Sequence, residues 1–237
     1  MNKDVIIACD FPSAEACLDF LDQFKDRERK PFVKIGMELF YAAGPDIVRQ
    51  IKERGHKIFL DLKLHDIPNT VERAFRVLAN LDVDMVNCHA GGGKTMMEAA
   101  LRGLSQGQTE TKRPLLIAVT QLTSTDDQTL HDELLIPGKM EDVVKHYALN
   151  ARDAGLDGVV CSPWEAAGVH QYAGEKFLTV TPGIRFESQA GKDDQKRIMT
   201  PAKAREAGSD FIVVGRPITQ AENPVEAYEK CLADFLG

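Results

Sequence analysis

Short apolar, β-branched runs alternate along the chain with longer stretches of helical spacing, and this alternation limits the fold more than any other feature. The apolar runs lie at residues 5–9, 32–35, 58–63, 85–88, 115–119, 158–161, 178–181 and 211–214. The helical stretches have recognisable starts. Pro12-Ser13 opens one with Ala16, Leu18 and Leu21, and another runs from Pro45 to just before Gly55. Asn69-Thr70 is expected to cap a third, whose apolar face is Val71, Phe75 and Leu78. Further helices are expected over 95–104, 141–154, 201–207 and 224–235, with one more after Pro163-Trp164.

Spread over 237 residues, eight such units average about 30 residues each, the length of a βαβ repeat. Strands that are apolar almost throughout belong to a parallel sheet covered on both faces. No linker or low-complexity segment divides the chain, so residues 1–237 read as one domain. The predicted class is α/β, a single closed (β/α)8 TIM barrel. An open doubly wound sheet would carry a glycine-rich turn after its first strand, and Asp10-Phe11-Pro12-Ser13 contains no glycine.

With 43% hydrophobic and 27% charged residues the chain is neither disordered nor a disulfide scaffold. Acidic residues number 36 and basic residues 29, so 29 − 36 gives a net charge of −7. A chain of that sign is a poor general binder of nucleic acid or of anionic membrane, although a local basic site can still hold a small anion. The five cysteines form no CxxC pair, and several sit in apolar runs, as expected of buried free thiols in a reducing compartment. Met1-Asn2-Lys3-Asp4 does not read as a signal peptide, and no run nears the roughly 20 apolar residues of a membrane span. A cytoplasmic location is expected.

Barrel enzymes carry their chemistry at the C-terminal ends of the strands. There this chain has Asp10, Lys34, Asp61 and Lys63, with Asp66 just beyond. Asp61 and Lys63, at i and i+2, are expected on one side of their strand. Charges inside a barrel are costly unless paired, and four of alternating sign at one mouth form a chain with little structural need. A lysine between carboxylates stays protonated, so it is a proton donor rather than a Schiff-base nucleophile. After strands 7 and 8 come Thr181-Pro182-Gly183-Ile184-Arg185 and Val214-Gly215-Arg216-Pro217, the two loops where barrels often bind phosphate. The polar segment 186–200, with Gln195, is long enough to be a lid or a binding loop.

Gly91-Gly92-Gly93-Lys94-Thr95 lacks the upstream glycine of a phosphate-binding P-loop, since Cys88 stands there, and reads as a tight turn. His65 and His89 have no third ligand at metal-binding spacing, and Met96-Met97 reads as helix core.

The run Asp61-Leu62-Lys63-Leu64-His65-Asp66-Ile67-Pro68-Asn69-Thr70 resembles the signature of orotidine 5′-phosphate decarboxylases of the compact bacterial type. The resemblance extends along the chain through Ala8-Cys9-Asp10, Val33-Lys34-Ile35-Gly36, Gln121-Leu122-Thr123-Ser124, Thr181 to Arg185, Gln195 and Val213 to Arg216. It implies a (β/α)8 barrel that converts orotidine 5′-phosphate to UMP and CO2 with no cofactor and no metal. It also implies that Lys63 protonates ring carbon 6, with Asp61 and Lys34 completing a charged chain. Asp66, Ile67 and Thr70 would reach into the partner's site across a homodimer. Asp10 and Lys34 would hold the ribose, and Thr123 the pyrimidine. Arg185, Gln195, Gly215 and Arg216 would hold the phosphate. Related Mg²⁺-dependent sugar-phosphate decarboxylases and synthases are the alternative. They share the Asp-x-Lys-x-x-Asp core but usually follow it with Ala-Gly, where this chain has Ile67-Pro68.

Overall fold

The computed structural model describes residues 3–107, 113–186 and 199–237. Eight parallel strands pair in chain order and close on themselves: β1 (Asp4–Ala8), β2 (Phe32–Gly36), β3 (Lys57–Leu64), β4 (Met85–His89), β5 (Leu115–Val119), β6 (Gly158–Val160), β7 (Leu178–Thr181) and β8 (Phe211–Val214), with β8 returning to β1. Around them lie α1 (Ala14–Asp22), α2 (Met37–Ala43), α3 (Asp46–Glu53), α4 (Pro68–Leu78), α5 (Gly93–Gly107), α6 (Met140–Asp153), α7 (Ala166–Ala173), α8 (Pro201–Glu206), α9 (Arg216–Thr219) and α10 (Pro224–Leu236). The expected single barrel is therefore present.

Some expected boundaries move. Asn69-Thr70 does not cap α4, because Ile67 is the cap residue and Pro68 takes the first helical position. Proline suits that position, where its missing N–H costs nothing and its φ is already helical. The helix expected from Thr95 begins at Gly93, fed directly by a short 3₁₀ turn over Ala90–Gly92. That turn also accounts for the glycine run. The short helices α2 and α9 were not foreseen. Each follows its strand through a single glycine cap residue, Gly36 or Gly215, with no polar punctuation to signal a start.

Two apolar layers follow from strand alternation. Val5, Ile7, Val33, Ile35, Ile58 and Leu60 face the helices. Ile6, Ala8, Phe32, Phe59, Met85, Ile117, Leu178, Val180, Phe211 and Val213 fill the barrel. Phe32 and Phe211 meet edge-on inside it, their centroids 6.1 Å apart. All five cysteines are buried thiols, as the sequence suggested, and burial pushes the Cys88 and Cys231 thiols up to about 12. Thiols so raised are inert packing groups.

Aspartates close the barrel's N-terminal rim. Asp84, Asp157 and Asp210 each stand just before or at the edge of a strand and accept a backbone N–H from the preceding one, from Ile58 (2.8 Å), Leu116 (2.7 Å) and Thr179 (2.9 Å). Lys52 and Arg113 neutralise the first two. Charges at this end thus act in stability, well away from the strand ends that could carry chemistry.

Helices α4 and α5 touch backbone to backbone. A Cβ at Gly103 would run into the carbonyl oxygen of Glu72, and one at Gly107 into that of Arg76. On an open helix face Gly→Ala stabilises; here overpacking reverses the sign. Gly103→Ala is expected to lower unfolding stability by ~1–3 kcal/mol in urea titrations. A gain in stability would show that the two helices do not need this close approach.

Candidate functional site

The parity that fills the barrel also builds the site. Ile6 and Ala8 face inward, so the next inward position after them is Asp10. Phe32 leads in the same way to Lys34, and Phe59 to Asp61. Apolar side chains therefore plug the lower barrel and charged ones occupy its C-terminal mouth. Lys34 Nζ lies 2.8 Å from Asp10 Oδ1 and 3.5 Å from Asp61 Oδ2. Asp61 Oδ1 lies 2.7 Å from Lys63 Nζ. The four charges expected at the mouth thus form one continuous chain, Asp10–Lys34–Asp61–Lys63. Its inner members are nearly enclosed, with Lys34 8% and Asp61 7% exposed, whereas Asp10 is open to solvent.

Room for the chain comes from Gly36, the register partner of Asp61 on β2. A Cβ there would sit 3.1 Å from both Asp10 Oδ1 and Lys34 Nζ. Burial alone would discharge these groups, so their neighbours decide their state. Burial works against the Lys34 charge, but Asp61 and Asp10 outweigh it and hold the ammonium above its ordinary value. Burial likewise works against the Asp61 carboxylate. Lys34 and Lys63, with hydrogen bonds from Lys63 and Asn87, outweigh it and hold Asp61 below its ordinary value.

Lys63 departs from the regular strand. Its φ is +52°, in the left-handed region that non-glycine residues rarely enter. The β3–β4 register also slips between Leu60 and Leu64. The i, i+2 spacing predicted the right pair, but the pleat that motivated it does not extend to Lys63. Asn87, inside β4 and 1% exposed, supports the irregularity. Its Oδ1 accepts the Lys63 backbone N–H (2.8 Å) and its Nδ2 donates to Asp61 Oδ1 (2.7 Å). In the sequence Asn87 reads only as part of an apolar strand. The available signal was a lone amide at an inward-facing position.

A cavity of about 580 Å³ opens above the charged chain. Asp10, Lys34, Asp61, Lys63, Thr123, Arg185, Gly215 and Arg216 all line it, together with Gln121, Ser124 and Gln220. The two arginine loops therefore face the same space as the lysines. Arg185 is 7% exposed, and its Nη1 donates to the Ile184 carbonyl (2.8 Å). A parallel bridge joins Ile184, two residues before the expected lid segment, to Met199 near that segment's end. Gln195 lies outside the described residues.

Asp66, Ile67 and Thr70 are not in the cavity lining and are exposed, Ile67 by 66%. Asp66 Oδ1 accepts the Ile67 N–H (2.6 Å). The His65 and His89 rings meet at a tilt of 40°, with 5.7 Å between centroids. Burial, His65 and Lys63 together lower the His89 pKa. Among the described residues no group of three or more His, Cys, Asp or Glu is placed to hold a metal ion.

A barrel whose mouth cavity is lined by both a charged chain and two arginines suits a small, anionic, phosphorylated substrate. Comparison with known proteins agrees in kind. The family model described as Orotidine 5′-phosphate decarboxylase / HUMPS family matches residues 3–231. Orotidine 5′-phosphate decarboxylases from Bacillus cytotoxicus and from a Geobacillus strain are 56% and 54% identical over 238 aligned positions, covering 100% of this chain and 99% and 98% of theirs. The crystal structure of orotidine 5′-phosphate decarboxylase from Lactobacillus acidophilus superposes with a TM-score of 0.89 at 42% identity, covering 100% of both chains. Sequence, fold and the furnishing of the barrel mouth agree, and the chain belongs to the orotidine 5′-phosphate decarboxylase / HUMPS family.

Proposed function

We propose that this chain decarboxylates orotidine 5′-phosphate to UMP and CO2, the last step of de novo UMP synthesis, without metal or cofactor, in the cytoplasm. The observation that carries this reading is the continuous Asp10–Lys34–Asp61–Lys63 chain at the mouth of a barrel whose cavity also takes in Arg185 and Arg216.

The chemistry asks for these residue types. When the carbon–carbon bond to the carboxylate breaks, its electron pair stays on ring carbon 6, in the plane of the ring, where the π system cannot spread it. Stabilisation must come from fixed charge, and an ammonium held beside that carbon supplies it without reorganisation. Lys63 then gives carbon 6 a proton and regains one from solvent. Asp61 holds that ammonium, and Lys34 pairs with Asp61 from its other oxygen and completes the charged chain. Carboxylates near the substrate carboxylate can also raise the ground state.

Asp10 and Lys34 hold ribose hydroxyls, and Thr123 contacts the pyrimidine. Arg185, Gln195, Gly215 and Arg216 hold the phosphate. Phosphate contacts lie far from the breaking bond, so their binding energy goes into closing and organising the site. Asp66, Ile67 and Thr70 act across a homodimer, in the site of the second copy. The exposure of Ile67 on a single chain is consistent with that role. A Mg²⁺-dependent sugar-phosphate decarboxylase or synthase is disfavoured by Ile67-Pro68 after the core motif. No nucleic acid or membrane partner is proposed.

Replacing Lys63 removes the proton donor while Lys34 still pairs with Asp61. Lys63→Ala is therefore expected to stay folded but lose decarboxylation by about 10³-fold or more in an ultraviolet assay. Near-native turnover by that variant would sink the proposal. Arg216→Ala should lower kcat/KM for orotidine 5′-phosphate on the order of 100-fold. It should barely affect the phosphate-free nucleoside, and equal losses on both substrates would refute the phosphate role.

The depressed Asp61 carboxyl also links folding to pH. A group whose pKa is lower in the folded state stabilises fully above its unfolded value, here 3.8, and loses that contribution as pH falls through the folded value. The stability gap between the native chain and Asp61→Asn, read from urea midpoints, should be widest above pH 3.8 and narrow below it. A gap that stays constant or grows in acid would contradict this charge assignment.

A further inference from the structure

We infer that Asn87 is a positioning residue for decarboxylation, acting through Lys63 and Asp61 without touching the substrate. The inference rests on the role proposed for Lys63. Asn87 is not in the cavity lining, so any effect on the reaction passes through the groups it holds.

The geometry is specific to an amide. Leu60 pairs with Val86 and Leu64 with Cys88, so four steps along β3 are matched by two along β4. Two extra residues must be accommodated in the intervening segment, and Lys63 sits there with its left-handed φ of +52°. The strand ladder cannot take up the Lys63 N–H in its usual way at this slip, and Asn87 Oδ1 accepts it at 2.8 Å. The other end of the same amide donates to Asp61 Oδ1 at 2.7 Å. That oxygen is the one paired with Lys63 Nζ, also at 2.7 Å. Asn87 thus joins the backbone of the lysine to the carboxylate that holds its ammonium, and the loop of contacts is closed.

Only a side chain that accepts and donates at once can do both. An aspartate of the same shape keeps the acceptor for Lys63 but sets a second carboxylate against Asp61. An alanine loses both contacts. With Asn87 99% enclosed, neither bond has water to replace it.

The test compares Asn87→Ala and Asn87→Asp with the native chain by two readouts. The first is steady-state decarboxylation of orotidine 5′-phosphate. The second is hydrogen exchange of the Lys63 backbone amide, followed by NMR. The expected result for Asn87→Ala is a kcat lower by about 30-fold with KM within about threefold, and faster exchange at Lys63. For Asn87→Asp, kcat should fall at least as far while the Lys63 amide stays protected, a split that loss of packing would not produce. A kcat within about threefold of native in both variants would overturn the inference, as would Lys63 exchange unchanged in Asn87→Ala. If Asn87→Ala fails to fold, Asn87→Asp alone decides, by its kcat. A native chain inactive on orotidine 5′-phosphate would instead defeat the proposed function, and the exchange readout would still judge the hold on Lys63.

Discussion

Burying ammonium and carboxylate groups at the mouth of an apolar barrel is the constraint on which the rest of the site depends. Moving either ion out of water costs several kcal/mol, recovered only through close pairing and satisfied hydrogen bonds. Lys34 and Asp61 are nearly enclosed, and each is held by an opposite charge on at least one side. Removing either inner member would cost each of its neighbours an opposite charge. The details around the chain serve this requirement. Gly36 leaves space for the Lys34 ammonium, Asn87 donates a hydrogen bond to Asp61, and Phe59 and Phe32 seal the barrel beneath. A charge array fixed in this way is already arranged for a reaction that develops negative charge, which is why the proposed chemistry and the folding requirement coincide.

Much of this is visible in the sequence because both patterns have a short period. Apolar runs at intervals of about 30 residues identify a barrel, and charges at the ends of those runs identify its mouth. Asp10, Lys34 and Asp61 could be found this way, since each continues the inward parity of Ile6, Phe32 and Phe59. Lys63 was found by the same spacing, although its backbone leaves the strand conformation. No local pattern announces a register slip, because it is fixed by how β3 meets β4 across 24 to 26 residues of chain. Asn87 was missed for the same reason. Its meaning lies in two hydrogen bonds to another strand, and in sequence it is one amide among apolar neighbours. The expected cap at Asn69-Thr70 failed because Pro68 starts α4 earlier than capping chemistry alone suggests. The roles proposed for Asp66, Ile67 and Thr70 rest on resemblance, since a single chain leaves them exposed.

The lining of the cavity divides the work in the proposed reaction. The charged chain would face the bond that breaks. Arg185 and Arg216, from the loops after β7 and β8, line the same space and would take the phosphate. The chain carries a net charge of −7, so an anionic substrate approaches against the overall field, and local cations must reverse it. Part of that negative charge belongs to the site itself, in Asp10 and Asp61. The aspartates of the opposite rim, Asp84, Asp157 and Asp210, are spent on backbone hydrogen bonds that hold the strands in register.

The most direct test of this charge-based decarboxylation is to add orotidine 5′-phosphate to the native chain after dialysis against EDTA. Orotidylate absorbance and released CO2 are then followed together. The expected result is a steady fall in absorbance with one CO2 released for each UMP formed, at a rate unaffected by the chelator. Unchanged absorbance, or activity that returns only with added Mg²⁺, would contradict it.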